Sequence, residues 1–328
     1  MTPVLIAVII IGASFDLLNG IHDSSNVVAT MISSRAFSPR VALGVTAVAE
    51  FSGPFVFGVA VAQTIGNGIV DSHLINTTVI LAALVSAILW DLLTWYLGFP
   101  SSSSHALVGG ILGAVVMAEG WAAVQMPGLI KVLISLFSSP IIGFLVGFLL
   151  IRLILLLSWK ATPRINGFFK RSQILTGIAL ALSHGANDAQ KTMGVITLAL
   201  VTSGYLSVFA VPRWVVLLCA SMIALGTSIG GWRLIRTLGG KIYKIRPVDG
   251  FASQLSSAVV ILTNSLFGGP VSTTQVVSSA IMGVGAGERA NKVRWGVAQE
   301  IVMAWLITIP ATALVAAGLF WAISHIIH

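Results

Sequence analysis

Apolar residues run along this chain in long blocks, near 3–33, 41–63, 77–98, 101–118 and 128–157, then 174–202, 211–231, 251–268, 271–287 and 295–324. A helix needs about 20 apolar residues to cross a bilayer, so the pattern predicts an all-α polytopic membrane protein with most of its mass in lipid. Polar residues interrupt two of the blocks: Asn19-Gly20-Ile21-His22-Asp23-Ser24-Ser25-Asn26 in the first and Ser183-His184-Gly185-Ala186-Asn187-Asp188-Ala189-Gln190-Lys191 in the sixth. An ionisable group at membrane depth costs roughly 2.5–3.5 kcal/mol even on the lenient insertion scale, and usually lines a route or site for something polar. Gly20 and Gly185 allow the backbone to break there, freeing carbonyls and amides that need a partner. The first and sixth spans are therefore expected to be broken helices.

The same features recur in the same order. Gly20 and Asp23 pair with Gly185 and Asp188, Thr64-Ile65-Gly66 with Thr237-Leu238-Gly239, Gly98-Phe99-Pro100-Ser101-Ser102-Ser103-Ser104 with Gly268-Gly269-Pro270-Val271-Ser272-Thr273-Thr274, Gly113 with Gly283, and Pro140 with Pro310. The offsets stay between 165 and 173 residues, which argues for duplication. Residues 1–157 then form a first repeat, 158–173 a basic cytoplasmic linker and 174–328 a second repeat. Five membrane segments per repeat is an odd number, so the second copy must be inverted. If 77–118 and 251–287 are re-entrant hairpins, that parity is unchanged.

Composition agrees: 56% of the 328 residues are apolar and only 9% charged, against about 25% charged in soluble domains. The 18 Lys and Arg outnumber the 10 Asp and Glu, but they cluster in short inter-helix loops, which explains them by orientation and not by nucleic acid. With both termini extracytoplasmic, fifteen of the 18 fall on the inside, Lys131 and Arg213 lie outside, and Lys191 sits within a span. The positive-inside rule selects that orientation in a cell membrane. The lone Cys219 rules out an internal disulfide or cysteine metal cage. The first apolar block has no basic n-region and reads as a retained helix.

Inverted repeats with interrupted helices are the signature of secondary transporters, with the site near mid-membrane where the halves meet. Asp23 and Asp188 can coordinate a cation or carry a proton, and Asn26 and Asn187 add amide oxygens, so these four are the candidate cation ligands. Asn187 and Lys191 can also hold an oxyanion. His22 and His184 are candidate proton relays or satisfied buried histidines, while Asp16, Asn19, Glu50, Asp91 and Glu300 are assigned lesser or helix-packing roles. Pro100 and Pro270 favour helix starts, which places Ser102, Ser103, Ser104, Ser272, Thr273 and Thr274 among unpaired backbone amides, an arrangement that attracts phosphate or sulfate. Ordinary N-capping is the alternative for these hydroxyls. Lys191 stands roughly where Asn26 stands in the first copy; an ammonium cannot ligate a metal cation, so coupling to protons suits the site better than two equivalent sodium sites.

These motifs resemble the inorganic phosphate transporter family over nearly the whole chain. The strongest matches are His184 to Gly194, Gly98 to Ala106, Gly269 to Thr274, and the closing Arg294-Trp295-Gly296, Ala304-Trp305 and Thr308-Ile309-Pro310. The resemblance implies a homodimeric, inverted-repeat carrier that moves phosphate with a co-transported H+ or Na+ and uses no other cofactor. Asp23, Asn26, Asn187 and Asp188 would serve the cation, and Ser102–Ser104 with Ser272–Thr274 the phosphate. His22 replaces a common Asn and Gln275 a common His, and the Gln190-Lys191 pair is similar to the bacterial low-affinity branch, linked with protons and metal-phosphate complexes. A sulfate permease of the same fold is the close alternative. An intramembrane lipid pyrophosphate phosphatase using a serine and His105 ranks lower, because the second-repeat counterpart of His105 is Gln275 and no arginine lies at a span centre.

Overall fold

The computed structural model describes residues 2–327, and they are nearly all helical. The helices are α1 (Pro3–Ser33), α2 (Pro39–Phe57), α3 (Ala60–Gly68), α4 (Thr77–Leu97), α5 (Ser103–Glu119), α6 (Met126–Leu157), α7 (Ile165–Thr202), α8 (Arg213–Ile229), α9 (Trp232–Arg236, continued by a π turn Thr237–Lys241), α10 (Pro247–Leu266), α11 (Thr273–Glu288) and α12 (Trp295–Ile327). Among the described residues the only extended pairing is a single bridge between Val70 and Val124.

Local sequence sets the boundaries. Asn76 Oδ1 accepts from the amides of Thr78 and Val79 at 3.0 and 3.1 Å to start α4, and Pro39 and Pro247 occupy first-turn positions where no amide is missed. Gly98 and Gly268 stop α4 and α10 in the left-handed region, at φ 75° and 70°, which a side chain would disfavour. Five helices, α1, α2, α4, α6 and α12, are long and apolar enough to cross a membrane, and α8 with α9 makes a sixth candidate bent by 59°. Helix α7 is longer than any of them at 38 residues, but its polar centre lowers its apolarity. Helices α5 and α11, of 17 and 16 residues, reach only about 25 Å at 1.5 Å per residue and fall short of a bilayer of about 30 Å.

The expected interruption of the first and sixth spans is corrected. Helices α1 and α7 run without a break through both polar stretches. Broken helices are present elsewhere, between α2 and α3 at Gly58 and between α8 and α9 at Gly230. Gly20 and Gly185 serve close approach instead. A Cβ on Gly20 would lie 2.2 Å from the Ile223 carbonyl oxygen in α8, and one on Gly185 would lie 2.1 Å from that of Glu50 in α2. The basic stretch 158–173 is also not all linker, because α7 begins within it at Ile165.

Packing crosses between the two halves of the chain. Helix α1 packs on α8 while α7 packs on α2, and α5 packs on α12 while α11 packs on α6. Close approaches in these pairs are matched too, since a Cβ on Gly113 would meet the Ala313 carbonyl at 2.0 Å and one on Gly283 the Phe144 carbonyl at 2.1 Å. The outer surfaces of α6 and α12 expose Ile134, Ile141, Leu149, Leu156 and Leu314, the apolar exterior expected of lipid contact.

Candidate functional site

The polar centres of α1 and α7 meet the first turns of α5 and α11 in the interior. Ser102 Oγ accepts from the His105 amide at 3.1 Å and Ser272 Oγ from the Gln275 amide at 3.3 Å. These two oxygens cap their own helices, an interaction worth about 1 kcal/mol. Ser102 is also 2.8 Å from His105 Nδ1. Ser103 and Ser104 open α5 and Thr273 and Thr274 open α11; Ser103, Thr273 and Thr274 reach Asp23, and Ser104 reaches Lys191.

The site has two unequal ends. At the first, Asp23 is 1% exposed. Its Oδ1 accepts from Thr274 Oγ1 at 2.9 Å and lies 2.8 Å from His22 Nδ1, while Ser103 and Thr273 approach Oδ2 at 3.5 Å each. Asn26 Nδ2 donates to Thr274 Oγ1 at 3.0 Å, and Asn26 Oδ1 is buried without a partner among the described residues. At the second end, the buried Lys191 ammonium is held by Asp188, by Ser104 and, at 2.9 Å, by the Val271 carbonyl. Ser104 Oγ donates to the same carbonyl at 3.0 Å. Asn187 clasps Val271 from both sides, donating to its carbonyl at 2.9 Å and accepting from its amide at 3.3 Å.

His184 joins the ends. Its Nε2 lies 3.0 Å from Asp188 Oδ2 and 3.9 Å from Asp23 Oδ2, and its Nδ1 lies 3.0 Å from Glu50 Oε1. Thr227 of α8 donates to Glu50 Oε2. One atom each from Asp23, His184 and Asp188 fall within 4.8 Å of one another, with every residue buried.

Of the residues singled out from the sequence, Asp23, Asn26, Asn187, Asp188 and Lys191 thus converge with Ser103, Ser104, Thr273 and Thr274. The roles differ between the halves. Asn26 retains a free carbonyl oxygen suited to a cation, whereas the Asn187 oxygen accepts from Val271 and its side chain anchors the start of α11. Glu50 belongs to the centre through His184, which its isolated position in an apolar span does not reveal; only the crossed packing of α2 on α7 brings it there. Asp16 binds Thr192 at the edge of the cluster, Asp91 is buried with neither oxygen partnered among the described residues, and Glu300 is exposed on α12.

The chemistry follows from the inventory. Hydroxyls, an ammonium and amide N–H groups can hold a tetrahedral oxyanion, and two carboxylates with a free amide oxygen can accept a cation or the protons of an acidic anion. In this arrangement the ammonium, the carboxylates and the hydroxyls are engaged with one another. An ammonium and a carboxylate removed from water are each costly unless paired, so Lys191 and Asp188 neutralise each other until something charged takes their place.

Comparison with known proteins points to one family. The profile of the phosphate transporter family matches residues 19–316. The chain is 43% identical over 322 residues to a Rhizobium meliloti (strain 1021) protein named "Probable low-affinity inorganic phosphate transporter", covering 98% of this chain and 96% of that protein. It is 44% identical over 325 residues to a Bacillus subtilis (strain 168) protein of the same name, covering 98% and 97%. A solved structure titled "The sodium-dependent phosphate transporter" superposes with a TM-score of 0.91 at 26% identity, over 99% of this chain and 100% of the other.

Proposed function

The chain belongs to the phosphate transporter family and is a membrane transport protein, not an enzyme; from that premise we propose that it imports inorganic phosphate by symport with a cation, H+ before Na+, through alternating access. The observation that carries the reading is Lys191, whose ammonium bridges Asp188, Ser104 and the Val271 carbonyl at the starts of α5 and α11. An oxyanion entering there competes with Asp188 for the same ammonium. Once the ammonium turns to phosphate, Asp188 loses its counterion, and a positive charge must enter with the anion. His184, in reach of Asp188, Asp23 and Glu50, is a group through which a proton reaches the acids. Ser102, Ser103, Ser104, Ser272, Thr273, Thr274, Asn187 and Lys191 are assigned to phosphate, and Asp23, Asn26 and Asp188 to coupling.

The carboxylates also favour phosphate over sulfate. Phosphate near neutral pH carries protons that a carboxylate can accept in a hydrogen bond, and sulfate does not; a buried acceptor left unpaired is penalised. A metal-phosphate complex is a second reading supported by the Asp23, His184 and Asp188 atoms within 4.8 Å, because carboxylate and imidazole are ordinary divalent-cation ligands.

Two inverted repeats with both termini extracytoplasmic in the cell membrane account for the crossed packing of α1 on α8 and α7 on α2 and for the placement of basic residues. The exposed apolar faces of α6 and α12 suit lipid or a second copy in a homodimer. Uptake of labelled phosphate into proteoliposomes under imposed proton or sodium gradients, with sulfate as competitor and with magnesium present or absent, tests the proposal. A proton gradient in sodium-free medium should drive accumulation that sulfate barely inhibits. Accumulation driven by sodium alone refutes proton coupling, and preferential uptake of sulfate refutes the substrate.

A further inference from the structure

The repeat pairs Thr64 with Thr237 and Gly268 with Gly98, yet the two regions differ in the structure. Thr237 Oγ1 donates to the Gly98 carbonyl at 3.3 Å, and Arg233 caps that end by donating to the Tyr96 carbonyl while lying over the Trp95 and Tyr96 rings at 5.7 and 5.3 Å. Around Thr64 and Gly268 the corresponding space is open. Gln63, Thr64 and Asn67 of α3, Lys131 of α6, and Phe267 and Gly268 line a cavity of about 390 Å³. That volume holds on the order of ten waters at about 30 Å³ each. Hydroxyl, amide and ammonium donors face it, no Asp or Glu lines it, and Lys131 makes no ion pair among the described residues.

Its position gives it a purpose. Gly268 begins the turn that continues through Gly269 and Pro270 to Val271, whose carbonyl is bound by Lys191, Ser104 and Asn187. Gly268 in the cavity wall is thus three residues from the backbone bound in the buried site. Lys131 and Arg213 are the two basic residues on the side with few positive charges, and a cation in a concave, low-dielectric mouth raises the local concentration of anions. We propose that this cavity is an entry site for the oxyanion, where Lys131, assisted by Gln63, Thr64 and Asn67, collects hydrated phosphate from the extracytoplasmic side before it passes the Gly268–Val271 turn.

The inference rests on the proposed phosphate transport, and the experiment separates the two. Phosphate uptake is measured in right-side-out and inverted membrane vesicles for wild type, Lys131→Gln, Lys131→Arg and Lys131→Glu. Removing one unit charge from a partly solvated mouth should raise KM on the extracytoplasmic side about fivefold in Lys131→Gln, with Vmax unchanged. Lys131→Arg should keep the wild-type KM, Lys131→Glu should raise it further, and KM measured from the opposite side should not move. The wild-type KM should also increase with salt, and the Lys131→Gln value should not. An unchanged extracytoplasmic KM in Lys131→Gln, a loss of Vmax without a change in KM, or equal KM shifts on both sides overturns the entry site. Absence of wild-type phosphate uptake instead defeats the transport reading itself, and the entry site with it.

Discussion

Replacing Lys191 by Met separates the ammonium's structural duty from its transport duty. The side chain is buried, and its ammonium is held by Asp188, Ser104 and the Val271 carbonyl. Without it, Asp188 keeps the His184 imidazole, 3.0 Å away, but no ammonium. Removing one member of a buried pair costs about 3–5 kcal/mol, because the surviving charge stays desolvated. Asp188→Asn alone should cost a similar amount by stranding the ammonium. In the double variant Lys191→Met/Asp188→Asn neither charge remains, so most of that loss should return. Thermal unfolding of the purified proteins reads the cycle. At roughly 2 °C per kcal/mol for a large chain, each single variant should fall by about 6–10 °C and the double variant by far less than the sum. Uptake should stay absent in all three, since stability is restored without the ammonium. Additive losses of Tm would show that the two side chains do not act as a pair, and uptake by the double variant would remove them from the mechanism.

The other predictions are more local. Asp23→Asn keeps hydrogen-bonding capacity toward Thr274 but removes the charge, so it should abolish gradient-driven phosphate uptake while leaving expression and Tm close to wild type; retained uptake excludes Asp23 from coupling. Thr274→Val removes both the donor to Asp23 at 2.9 Å and the acceptor for Asn26 at 3.0 Å and should lower uptake at least about tenfold, from a bond to a carboxylate of about 1.5–3 kcal/mol and a neutral one of about 0.5–1.5 kcal/mol, while Thr274→Ser recovers it. Gly185→Ala places a methyl 2.1 Å from the Glu50 carbonyl and should cost at least about 1–3 kcal/mol of overpacking. Gly44→Ala, with open space around it, is the matched control and should leave Tm unchanged.

Hydropathy and repeated motifs were enough to identify the helical membrane class and to bring out the side chains that meet in the interior. They misplaced the helix breaks for a physical reason. A Gly-Ile-His-Asp run is a poor helix only where its polar side chains lack partners. Here Asp23 and Asn26 find Thr274, Ser103 and Thr273, His22 finds Asp23, and α1 continues unbroken. The same glycines that read as breakpoints are contact points, a distinction visible only once α8 and α2 are in place. Glu50 shows the opposite limit. Nothing near it in sequence hints at His184, because the contact depends on α2 of one half crossing to α7 of the other. Asn187 and Asn26 read as equivalent ligands, yet the Val271 turn occupies one and leaves the other free.

The packing also bears on how such a site could move. Between α1 and α8, α7 and α2, α5 and α12, and α11 and α6, glycines let backbones touch so closely that an added Cβ would come within 2.0–2.2 Å of the neighbouring carbonyl at Gly20, Gly185, Gly113 and Gly283. Such surfaces do not slide without opening voids, which close-packed interiors resist. Each pair therefore behaves as one rigid unit. Where α1 and α7 meet the starts of α5 and α11, by contrast, contact is made by exchangeable hydrogen bonds: Thr274 to Asp23, Asn26 to Thr274, Asn187 to Val271 and Lys191 to Ser104. Helix α10 meets α1 and α7 in the same way, through Gln254 with Thr30 and Thr176. The seam least resistant to displacement is thus the seam that carries the charged site. A ligand that exchanges partners with Lys191 and Asp188 changes the bonds holding the rigid units together, so binding and rearrangement draw on the same small set of contacts.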